Sequence, residues 1–284
     1  MVKKRLIMEQ ALALFAEQGI EATSIQQITD KCGISKGAFY LAFKSKEELI
    51  FNLIDHIMGE YAADVERMVS SPSAAPERLL YEYYAASLNM IRKHAQFARF
   101  LMKEPVHSYR PELISRLEMY DAILHGAVRT IALRRYPSLA PEMASDLVFT
   151  IQCFVRQYGA LFLKPDIPLE IPDVCEALVE KTDVLARHAS KPALRGAAAP
   201  VHLLARPSPP RREELAELLS KTAEEEPDPV LRRSLELLRE HLDRPRLEPA
   251  VAAGLLASLR GSSRTKWTAY LYESYLKCRG ETTN

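Results

Sequence analysis

The sequence predicts an all-α protein. Apolar residues recur at helical spacing along almost all of the 284 residues, so that most segments have one apolar face. The chain has only 10 glycines and lacks Asn-Gly and Asp-Gly pairs, which leaves little material for β-hairpins. Its 18 prolines lie between the apolar segments or at their ends, where they separate one helix from the next.

Composition and charge exclude several other classes of protein. Apolar residues make up 48% and charged residues 26% of the chain, which is typical of a globular protein and not of a disordered one. The 38 basic and 37 acidic side chains give a net charge of +1, so whole-chain charge carries no sign of a nucleic-acid partner. Cys32, Cys153, Cys175 and Cys278 form no CxxC or CxxH pair, which argues against a zinc site or a disulfide framework.

The N-terminal segment matches neither an export signal nor a membrane span. Its basic start, Met1 to Arg5, leads into an amphipathic stretch that contains Glu9 and Glu17 in place of an unbroken apolar core. No apolar run elsewhere approaches the ~18 residues of a membrane-spanning helix. We therefore expect a soluble cytoplasmic protein with no membrane partner.

The first fifty residues are predicted to contain three short helices and the start of a fourth. The first helix has an apolar stripe and ends at Gly19, because glycine readily takes positive φ. A capping box at Thr23–Gln26 opens the second helix, which runs to about Cys32. The third helix follows the turn Gly33–Ser35, and a second capping box at Ser45–Glu48 opens the fourth. The stripe consists of Ile7, Ala11, Leu14 and Phe15.

The second and third helices have a helix-turn-helix layout. A small apolar core would hold them together and close against the first helix; its residues are Ile25, Ile28, Ile34, Phe39, Phe43 and Phe15. The third helix begins with small residues, and such a helix can press closely against the groove of a DNA duplex. On this spacing alone, an ordinary αα-corner remains the alternative.

The same stretch resembles the DNA-binding region of TetR-family transcriptional regulators. The resemblance covers roughly residues 5–55. It depends on the pattern Ser-Lys-Gly-x-Phe-Tyr-x-x-Phe-x-Ser-Lys-Glu-x-Leu, which begins at Ser35 and ends at Leu49. It implies an all-α homodimer with an N-terminal three-helix helix-turn-helix DNA-binding domain. It also implies a larger helical domain that binds a small effector and forms the dimer.

The resemblance further implies roles for individual residues. Residues 36–42 would form the recognition helix, with Lys36, Gly37 and Ala38 facing the major groove. Phosphate contacts would come from Thr23 as an N-cap, from the Tyr40 hydroxyl and from Lys46 at the start of the fourth helix. The complete predicted DNA-binding set is Thr23, Ser35, Lys36, Gly37, Ala38, Tyr40, Leu41 and Lys46.

One position departs from the family's pattern. Where the family often has His, Tyr or Arg just before the final Phe, this chain has Leu41 and Ala42. Neither side chain can hydrogen-bond a base or a phosphate, although either could contact a thymine methyl group. Base readout through hydrogen bonds is therefore expected to be limited at this end of the helix.

Prolines and composition divide the rest of the chain. We predict helices at about 76–92, 95–104, 111–135, 141–163 and 172–189, and after a Pro-rich linker at 191–212 further helices at 213–225, 229–243, 247–260 and 264–278. The predicted domains are 1–50 for DNA binding, 51–190 for effector binding and dimerisation, and 213–284 as a helical extension of unassigned role. A module of about 65 residues would be marginal alone, so we expect the extension to pack on the main body.

Residues 52–190 contain no catalytic or metal-binding pattern. His94, Glu104 and His107 are near one another in sequence but match no metal motif, and His56 with Glu60 is typical of a solvated helix face. Gly-rich phosphate loops and the Gly-x-Ser-x-Gly and Ser-x-x-Lys motifs are absent from the sequence. We therefore expect no enzymatic activity, no metal and no cofactor.

Aromatic and methionine residues are frequent between about residues 80 and 162. Each one is typical of core packing, but together they suit a mainly apolar pocket with a few polar partners. We expect a small apolar or amphipathic effector. The predicted lining residues are Phe97, Phe100, Leu101, Tyr120, Phe149, Cys153 and Arg156.

Apolar stripes on the last two helices of this domain fit a four-helix dimer interface. The alternative is that these stripes face the core of their own domain. The predicted interface residues are Leu147, Ile151, Phe154, Tyr158, Leu161, Val174, Leu178 and Leu185.

These features together predict a homodimeric DNA-binding transcriptional regulator, a repressor that a small effector releases from a palindromic operator. Two recognition helices about 34–36 Å apart would meet successive major-groove faces of such an operator. A DNA-binding protein of the same fold without an effector is the first alternative. A helical enzyme for small molecules is the second, and the missing catalytic set argues against it.

Overall fold

A computed structural model describes residues 2–71, 75–103, 111–164, 166–194, 210–243, 247–262 and 264–279. Within these ranges all regular structure is helical and no strand is present. The helices are α1 (Val2–Gln18), α2 (Ile25–Cys32), α3 (Lys36–Ala42), α4 (Lys46–Ser70), α5 (Pro76–Lys93), α6 (Ala95–Lys103), α7 (Pro111–Arg135), α8 (Pro141–Leu161), α9 (Ile171–His188), α10 (Arg212–Glu225), α11 (Pro229–Asp243), α12 (Pro249–Arg260) and α13 (Lys266–Arg279). The predicted all-α fold is confirmed.

Glycine and proline set most of the helix ends. Gly19 has a φ of 89° directly after α1, and Gly33 has a φ of 64° as the C-cap of α2. Both values lie in the left-handed region that favours glycine. Proline occupies the first turn of α5, α7, α8, α9, α11 and α12, where its missing N–H costs no helical hydrogen bond.

Helices α1 to α9 belong to one compact unit, Met1–Arg206. Within it, α1, α2 and α3 pack together as a head, and α1 also contacts α4 and α6. The 25-residue helix α4 runs from the head into the larger domain, where it packs against α5 and α7. The head and the larger domain are therefore joined both by α4 and by the contact between α1 and α6.

The predicted linker begins with an anchor on α8. The backbone N–H groups of Ala193 and Leu194 both donate to the Asp146 carboxylate, at 2.9 and 3.0 Å. The chain is thus tied to α8 shortly after α9 ends. Residues 195–209, which hold most of the predicted linker, lie outside the described residues.

Helices α10 to α13 form a second compact unit, Pro207–Asn284. Each helix packs against the next, and α10 also packs against α13, so the four close into a bundle. Its core contains Leu215, Leu219, Leu235, Leu238, Leu256, Leu259 and Tyr272. The Tyr272 hydroxyl donates to the Leu238 carbonyl at 3.3 Å, which satisfies the polar group that this core encloses.

Candidate nucleic-acid interface

A small apolar core holds the three helices of the head together. Phe39 is fully buried, and its ring centroid lies 5.9 Å from that of Phe43. The ammonium of Lys4 lies over the Phe43 ring, 5.4 Å from its centroid. Ile25 and Ile34 are only half-buried. The buried side chains of this core are Ile7, Ala11, Phe15, Ile28, Phe39 and Phe43.

Ser24, and not Thr23, caps the start of α2. The Ser24 hydroxyl accepts a hydrogen bond from the Gln27 N–H at 3.2 Å, and the Gln27 side chain accepts one from the Ser24 N–H at 2.8 Å. Thr23 is fully buried, and its hydroxyl donates to the Gly19 carbonyl at 2.7 Å. The predicted capping box is therefore wrong by one residue. Thr23 braces the turn between α1 and α2, and its side chain is not presented at the surface.

The turn between α2 and α3 is held by backbone hydrogen bonds. The Gly33 N–H donates to the Asp30 carbonyl at 3.1 Å, and the Ile34 N–H donates to the Thr29 carbonyl at 3.0 Å. Ser35 then caps α3 by accepting a hydrogen bond from its third residue at 3.2 Å. These bonds fix the direction in which α3 leaves the turn.

Helix α3 presents a small and apolar outer face. Gly37 and Leu41 lie two residues before and two residues after Phe39, roughly 160° around the helix from it. Because Phe39 points into the core, this pair points away from the head. Leu41 is 92% exposed, and the neighbouring Tyr40 is 52% exposed. The outer face of the predicted recognition helix is therefore exposed in this structure.

A groove of about 300 Å³ lies beside α3, where the starts of α2 and α4 come together. Helix N-termini carry partial positive charge, so two of them at one groove favour an anion there. The Tyr40 hydroxyl and Lys44 add a polar and a cationic group. The groove is lined by Thr23, Ser24, Ile25, Tyr40, Lys44, Ser45, Lys46 and Glu47. This chemistry suits a backbone phosphate of DNA.

Lys46 connects the start of α4 to the turn between α1 and α2. Its ammonium donates to the Ile20 carbonyl at 2.8 Å and to the Thr23 carbonyl at 3.0 Å. An ammonium has three N–H donors, so one remains for a phosphate. The phosphate contact of Lys46 stays a prediction, and the structure adds a positioning role to it.

Ser45 caps α4 with one difference from the predicted box. Its hydroxyl accepts a hydrogen bond from the Glu48 N–H at 3.1 Å, as predicted. The Glu48 carboxylate, however, accepts its bond from the Lys44 N–H at 2.7 Å, and not from Ser45. The acidic side chain thereby fixes the backbone that leads from α3 into α4.

Two predicted effector residues, Phe97 and Phe100, lie on α6, and Phe100 packs against Phe15 of the head. The ring centroids of Phe100 and Phe15 lie 6.0 Å apart, and those of Phe97 and Phe100 are also 6.0 Å apart. All three side chains are buried. Phe100 therefore joins α6 to α1, and Phe97 packs beside Phe100.

Tyr120, another predicted effector residue, joins α7 to α4. Its hydroxyl donates to the Asp55 carboxylate at 3.1 Å, and the Nε of Arg116 lies 3.4 Å from the same oxygen. Burial, with a smaller contribution from Asp55, raises the pKa of Tyr120 well above its ordinary value. The hydroxyl therefore stays protonated, and its hydrogen bond to Asp55 links α7 to α4.

The remaining predicted effector residues lie on α6 and α8. On α8, Phe149 is 44% exposed, Arg156 is exposed and Cys153 is half-buried, whereas Leu101 is half-buried on α6. The predicted set thus lies on three helices: Phe97, Phe100 and Leu101 on α6, Tyr120 on α7, and the other three on α8. That these residues surround one pocket stays a prediction; the contacts of Phe100 and Tyr120 described above are packing contacts.

The predicted dimer residues divide between the core and the surface. Four of them, Leu147, Ile151, Val174 and Leu178, are buried within their own protomer, which corrects their assignment to an interface. Three more, Phe154, Tyr158 and Leu161, are half-buried. Leu185 is 36% exposed, and on the same two helices Phe149 and Val184 are 44% and 50% exposed. The exposed apolar surface of α8 and α9 is therefore formed by Phe149, Val184 and Leu185, beside most of the residues that were predicted.

A buried hydroxyl cluster between α4, α5 and α9 lies outside the sequence predictions. The Tyr61 hydroxyl lies 2.6 Å from that of Ser87, which also donates to the Tyr83 carbonyl at 2.6 Å. The Tyr84 hydroxyl lies 2.7 Å from that of Thr182. Burial raises the pKa of Tyr61 to about 12, so its hydroxyl is neutral near pH 7. Only the four-residue spacing of Tyr83 and Ser87 could have signalled part of this cluster.

A bidentate ion pair, also unpredicted, joins α7, α9 and the start of α5. Arg135 donates from Nε and Nη2 to the two Asp183 oxygens, both at 2.8 Å, and from Nη1 to the Glu77 carbonyl at 2.5 Å. The Tyr136 hydroxyl donates to Asp183 at 2.5 Å. Burial alone would raise the pKa of Asp183, but the hydrogen bonds from Arg135 and Tyr136 outweigh it and hold that pKa below its ordinary value.

Metal binding and membrane insertion find no support in the part of the chain that is described. No group of three or more His, Cys, Asp or Glu side chains there could hold a metal ion. Of the three residues weighed as a metal site, His94 is described, whereas Glu104 and His107 lie outside the described residues. None of the described helices is long and apolar enough to cross a membrane.

Comparisons with known proteins match both the head and the larger domain. The family described as bacterial regulatory proteins, tetR family, matches residues 7–53, from α1 to the first turns of α4. The HTH-type transcriptional repressor KstR2 of Mycobacterium tuberculosis (strain CDC 1551 / Oshkosh) is 33% identical over 175 residues, which cover 59% of this chain and 84% of KstR2. That match extends far beyond the head.

A further relative matches nearly the whole chain. The HTH-type transcriptional regulator YerO of Bacillus subtilis (strain 168) is 25% identical over 264 residues, which cover 92% of this chain and 91% of YerO. A match of this extent necessarily reaches into the second unit.

Solved structures share the fold over about two thirds of this chain, which is about the length of the first unit. The TetR-family regulator PfmR from Thermus thermophilus has a TM-score of 0.50 and 22% identity, and covers 65% of this chain and 99% of its own. FadR from Bacillus subtilis, solved in complex with stearoyl-CoA, has a TM-score of 0.53 and 16% identity, and covers 66% and 99%. These two structures show the shared fold, and the family follows from the match to the head and from the identity to KstR2. The chain belongs to the tetR family of bacterial regulatory proteins and is a DNA-binding transcriptional regulator, not an enzyme.

Proposed function

We propose that this regulator is a homodimeric repressor that binds a palindromic operator and is released from it by a small, mainly apolar effector. The observation that carries the proposal is the exposed outer face of α3, which lies beside the groove formed by the starts of α2 and α4. Helix α3 would enter the major groove while the adjacent groove receives a backbone phosphate. DNA binding is assigned to residues 1–50, and effector binding and dimerisation to residues 51–190.

The DNA contacts fall into two groups. Lys36, Gly37, Ala38 and Leu41 would face the bases, because they lie on the outer and flanking faces of α3. Tyr40, Lys46 and the capped start at Ser35 would face phosphates. The first group would set the preference between operators, and the second would act on all sequences about equally.

The dimer would form through the exposed apolar side chains of α8 and α9. Phe149, Val184 and Leu185 are exposed, and the half-buried Phe154 and Tyr158 lie on α8 with their rings 6.2 Å apart. Two helices from each protomer would form a four-helix interface. Two heads would then meet half-sites one turn of DNA apart, about 34–36 Å.

Release would pass through the two connections between the head and the larger domain. Phe15 and Phe100 join α1 to α6, and Asp55 and Tyr120 join α4 to α7. An effector that binds one arrangement of α6 and α7 better than the other would move α1 and α4, and hence the separation of the heads. Its differential affinity sets how far the equilibrium moves.

The expected effector is amphipathic, with a large apolar part. The buried side chains of the larger domain are mainly apolar, and the hydroxyls of Tyr61, Ser87 and Tyr84 are among the polar groups buried with them. FadR, which shares the fold, was solved with stearoyl-CoA. Long-chain acyl-CoA thioesters are therefore the first class to test, followed by free acyl chains and aromatic acids.

The test is operator binding followed by ligand release. Selection from fragmented genomic DNA would identify the operator, and fluorescence anisotropy would measure affinity with and without each ligand class. An effector should raise the melting temperature of the protein and weaken operator binding. Phe100→Leu should keep the thermal shift but release DNA less completely. Specific binding that no ligand class alters would favour the effector-free alternative, and absence of specific binding would refute the proposal.

A further inference from the structure

Leu41 is the most exposed of the large apolar side chains described, at 92%. Phe39, two residues earlier on the same helix, is fully buried, so the backbone directs Leu41 straight away from the head. A leucine so exposed has no packing partner within its own protomer. Leucine also has no group that could hydrogen-bond a phosphate or a base.

The surroundings of Leu41 make it the side chain that projects furthest on this face. Gly37, one turn earlier, has no side chain, and a Cβ built there would meet only the Ser35 hydroxyl, at 3.8 Å. Ala38, three residues earlier, has only a methyl group. A helix docked by this face would therefore bring Leu41 against the groove floor before its neighbours.

We infer that Leu41 determines base specificity by contacting the C5-methyl group of a thymine in the major groove. The inference rests on the proposed function, since it requires α3 to enter that groove. Thymine presents a methyl group there beside its O4 acceptor, whereas the polar groups of the other bases have no such methyl group next to them for leucine to contact. Each half-site would thus contain one thymine that Leu41 selects.

Replacement of thymine by deoxyuracil isolates this contact, because it removes only the methyl group. The thymines of the selected operator are replaced one position at a time, in both half-sites, and Kd is measured at constant salt for the full chain and for Leu41→Ala. One position should weaken binding about fourfold for each methyl group lost, or roughly 16-fold for both half-sites. Leu41→Ala should bind the thymine operator more weakly and show no difference between thymine and uracil there.

Two variants serve as controls. Val230→Ala removes another exposed apolar side chain, 66% exposed on α11 in the second unit, and should keep the full preference for thymine. Tyr40→Phe should weaken binding to all duplexes about equally and also keep that preference. Leu41→Ala should leave the melting temperature unchanged, because so exposed a side chain contributes little to folding.

The outcomes separate the inference from the proposed function. If no thymine position is sensitive to uracil, or if the sensitivity persists in Leu41→Ala, the inference is overturned while operator binding stands. A lower melting temperature of Leu41→Ala would also overturn it, since Leu41 would then pack within the protein. If the parent chain prefers no sequence at all, both the inference and the proposed function are wrong.

Discussion

The substitution Gly37→Ala separates the stability of α3 from its fit against DNA. Gly37 is exposed, and it is not among the glycines with positive φ. An added Cβ would meet only the Ser35 hydroxyl, at 3.8 Å, which is an ordinary van der Waals contact. Alanine should therefore raise the free energy of unfolding by about 0.5–1 kcal/mol, because glycine loses more conformational freedom in a helix.

The same methyl group should weaken specific DNA binding. Gly37 shares the outer face of α3 with Leu41, and there the backbone itself can approach the base edges. A methyl group at this point would hold the helix away from the groove floor. If the displacement costs the equivalent of one good base contact per half-site, Kd should rise roughly 5- to 150-fold at each half-site.

Thermal unfolding and fluorescence anisotropy on the selected operator would measure the two effects. A rise in melting temperature of about 1–4 °C is expected for this gain in stability. Gly126→Ala is the matched control, since Gly126 is an exposed glycine on α7 with nothing within 4 Å of an added Cβ. It should raise the melting temperature and leave Kd unchanged. Operator binding by Gly37→Ala as tight as that of the parent would refute the groove-facing assignment of this face.

Three further predictions concern the phosphate groove, the ion pair and the second unit. Lys46→Ala should cost about 1–3 kcal/mol of stability by removing two charged hydrogen bonds, and should lower the salt slope of DNA binding by about one unit; an unchanged slope would exclude a phosphate contact. Asp183→Asn should cost roughly 3 kcal/mol near pH 7, with Arg187→Ala, 69% exposed, as a near-neutral control. Burial raises the pKa of Asp183, but the hydrogen bonds from Arg135 outweigh it and hold that pKa below its value in the unfolded chain. The stabilisation is therefore present above the ordinary carboxyl pKa and is lost as the pH falls through the lowered pKa of the folded protein. Urea titrations at several pH values would check the sign. Truncation after Leu194 keeps the anchor on Asp146 and should preserve specific operator binding while lowering thermal stability or solubility. Unaltered melting would contradict docking of the second unit. Loss of DNA binding by a truncated dimer would contradict the prediction that the head binds DNA without that unit.

Helix boundaries could be predicted because local chemistry sets them. Gly19 and Gly33 take the positive φ values that end α1 and α2, and proline lies in the first turn of six of the later helices. The cap of α2 shows where local chemistry is ambiguous. Thr23 with Gln26 and Ser24 with Gln27 both have the spacing of a capping box, and the sequence alone does not choose between them. The structure chooses Ser24, because Thr23 is needed inside the turn, where its hydroxyl bonds Gly19.

The candidate sites of the larger domain could be predicted less well. Helix α8 has apolar residues on adjacent faces, so spacing alone does not tell whether Ile151 or Phe149 faces the protomer's own core. The structure buries Ile151 completely and leaves Phe149 44% exposed. The aromatic residues of α6 were open to the same ambiguity, since Phe97 and Phe100 suit a ligand pocket as well as the contact with Phe15. Tertiary packing decides which apolar face of a helix is buried, and the spacing of apolar residues does not reveal that packing.

The second unit has more internal packing than its length alone would suggest. A unit of about 65 residues buries a small fraction of its surface and is expected to be only marginally stable. Here, however, the four helices close into a bundle in which each helix packs against two others. Its buried hydroxyls are satisfied as well: Thr265 donates to the Leu259 carbonyl at 2.6 Å. The Glu226 Oε2, buried without a hydrogen-bond partner, is a local cost. Core burial alone therefore does not require this unit to pack on the first, and docking stays a prediction that the truncation tests.

The head divides its residues between those that hold its geometry and those that remain available to DNA. Thr23, Ser24 and Ser45 use their hydroxyls on turns and caps, and Phe39 is buried in the core. Substitutions in this group should change stability and DNA affinity together, because they move α3 itself. Leu41 makes no such contact, so its substitution should change affinity while the melting temperature stays constant. Lys46 lies between the two groups, since two of its donors hold the turn and one remains, and it should therefore change stability and the salt dependence of binding together.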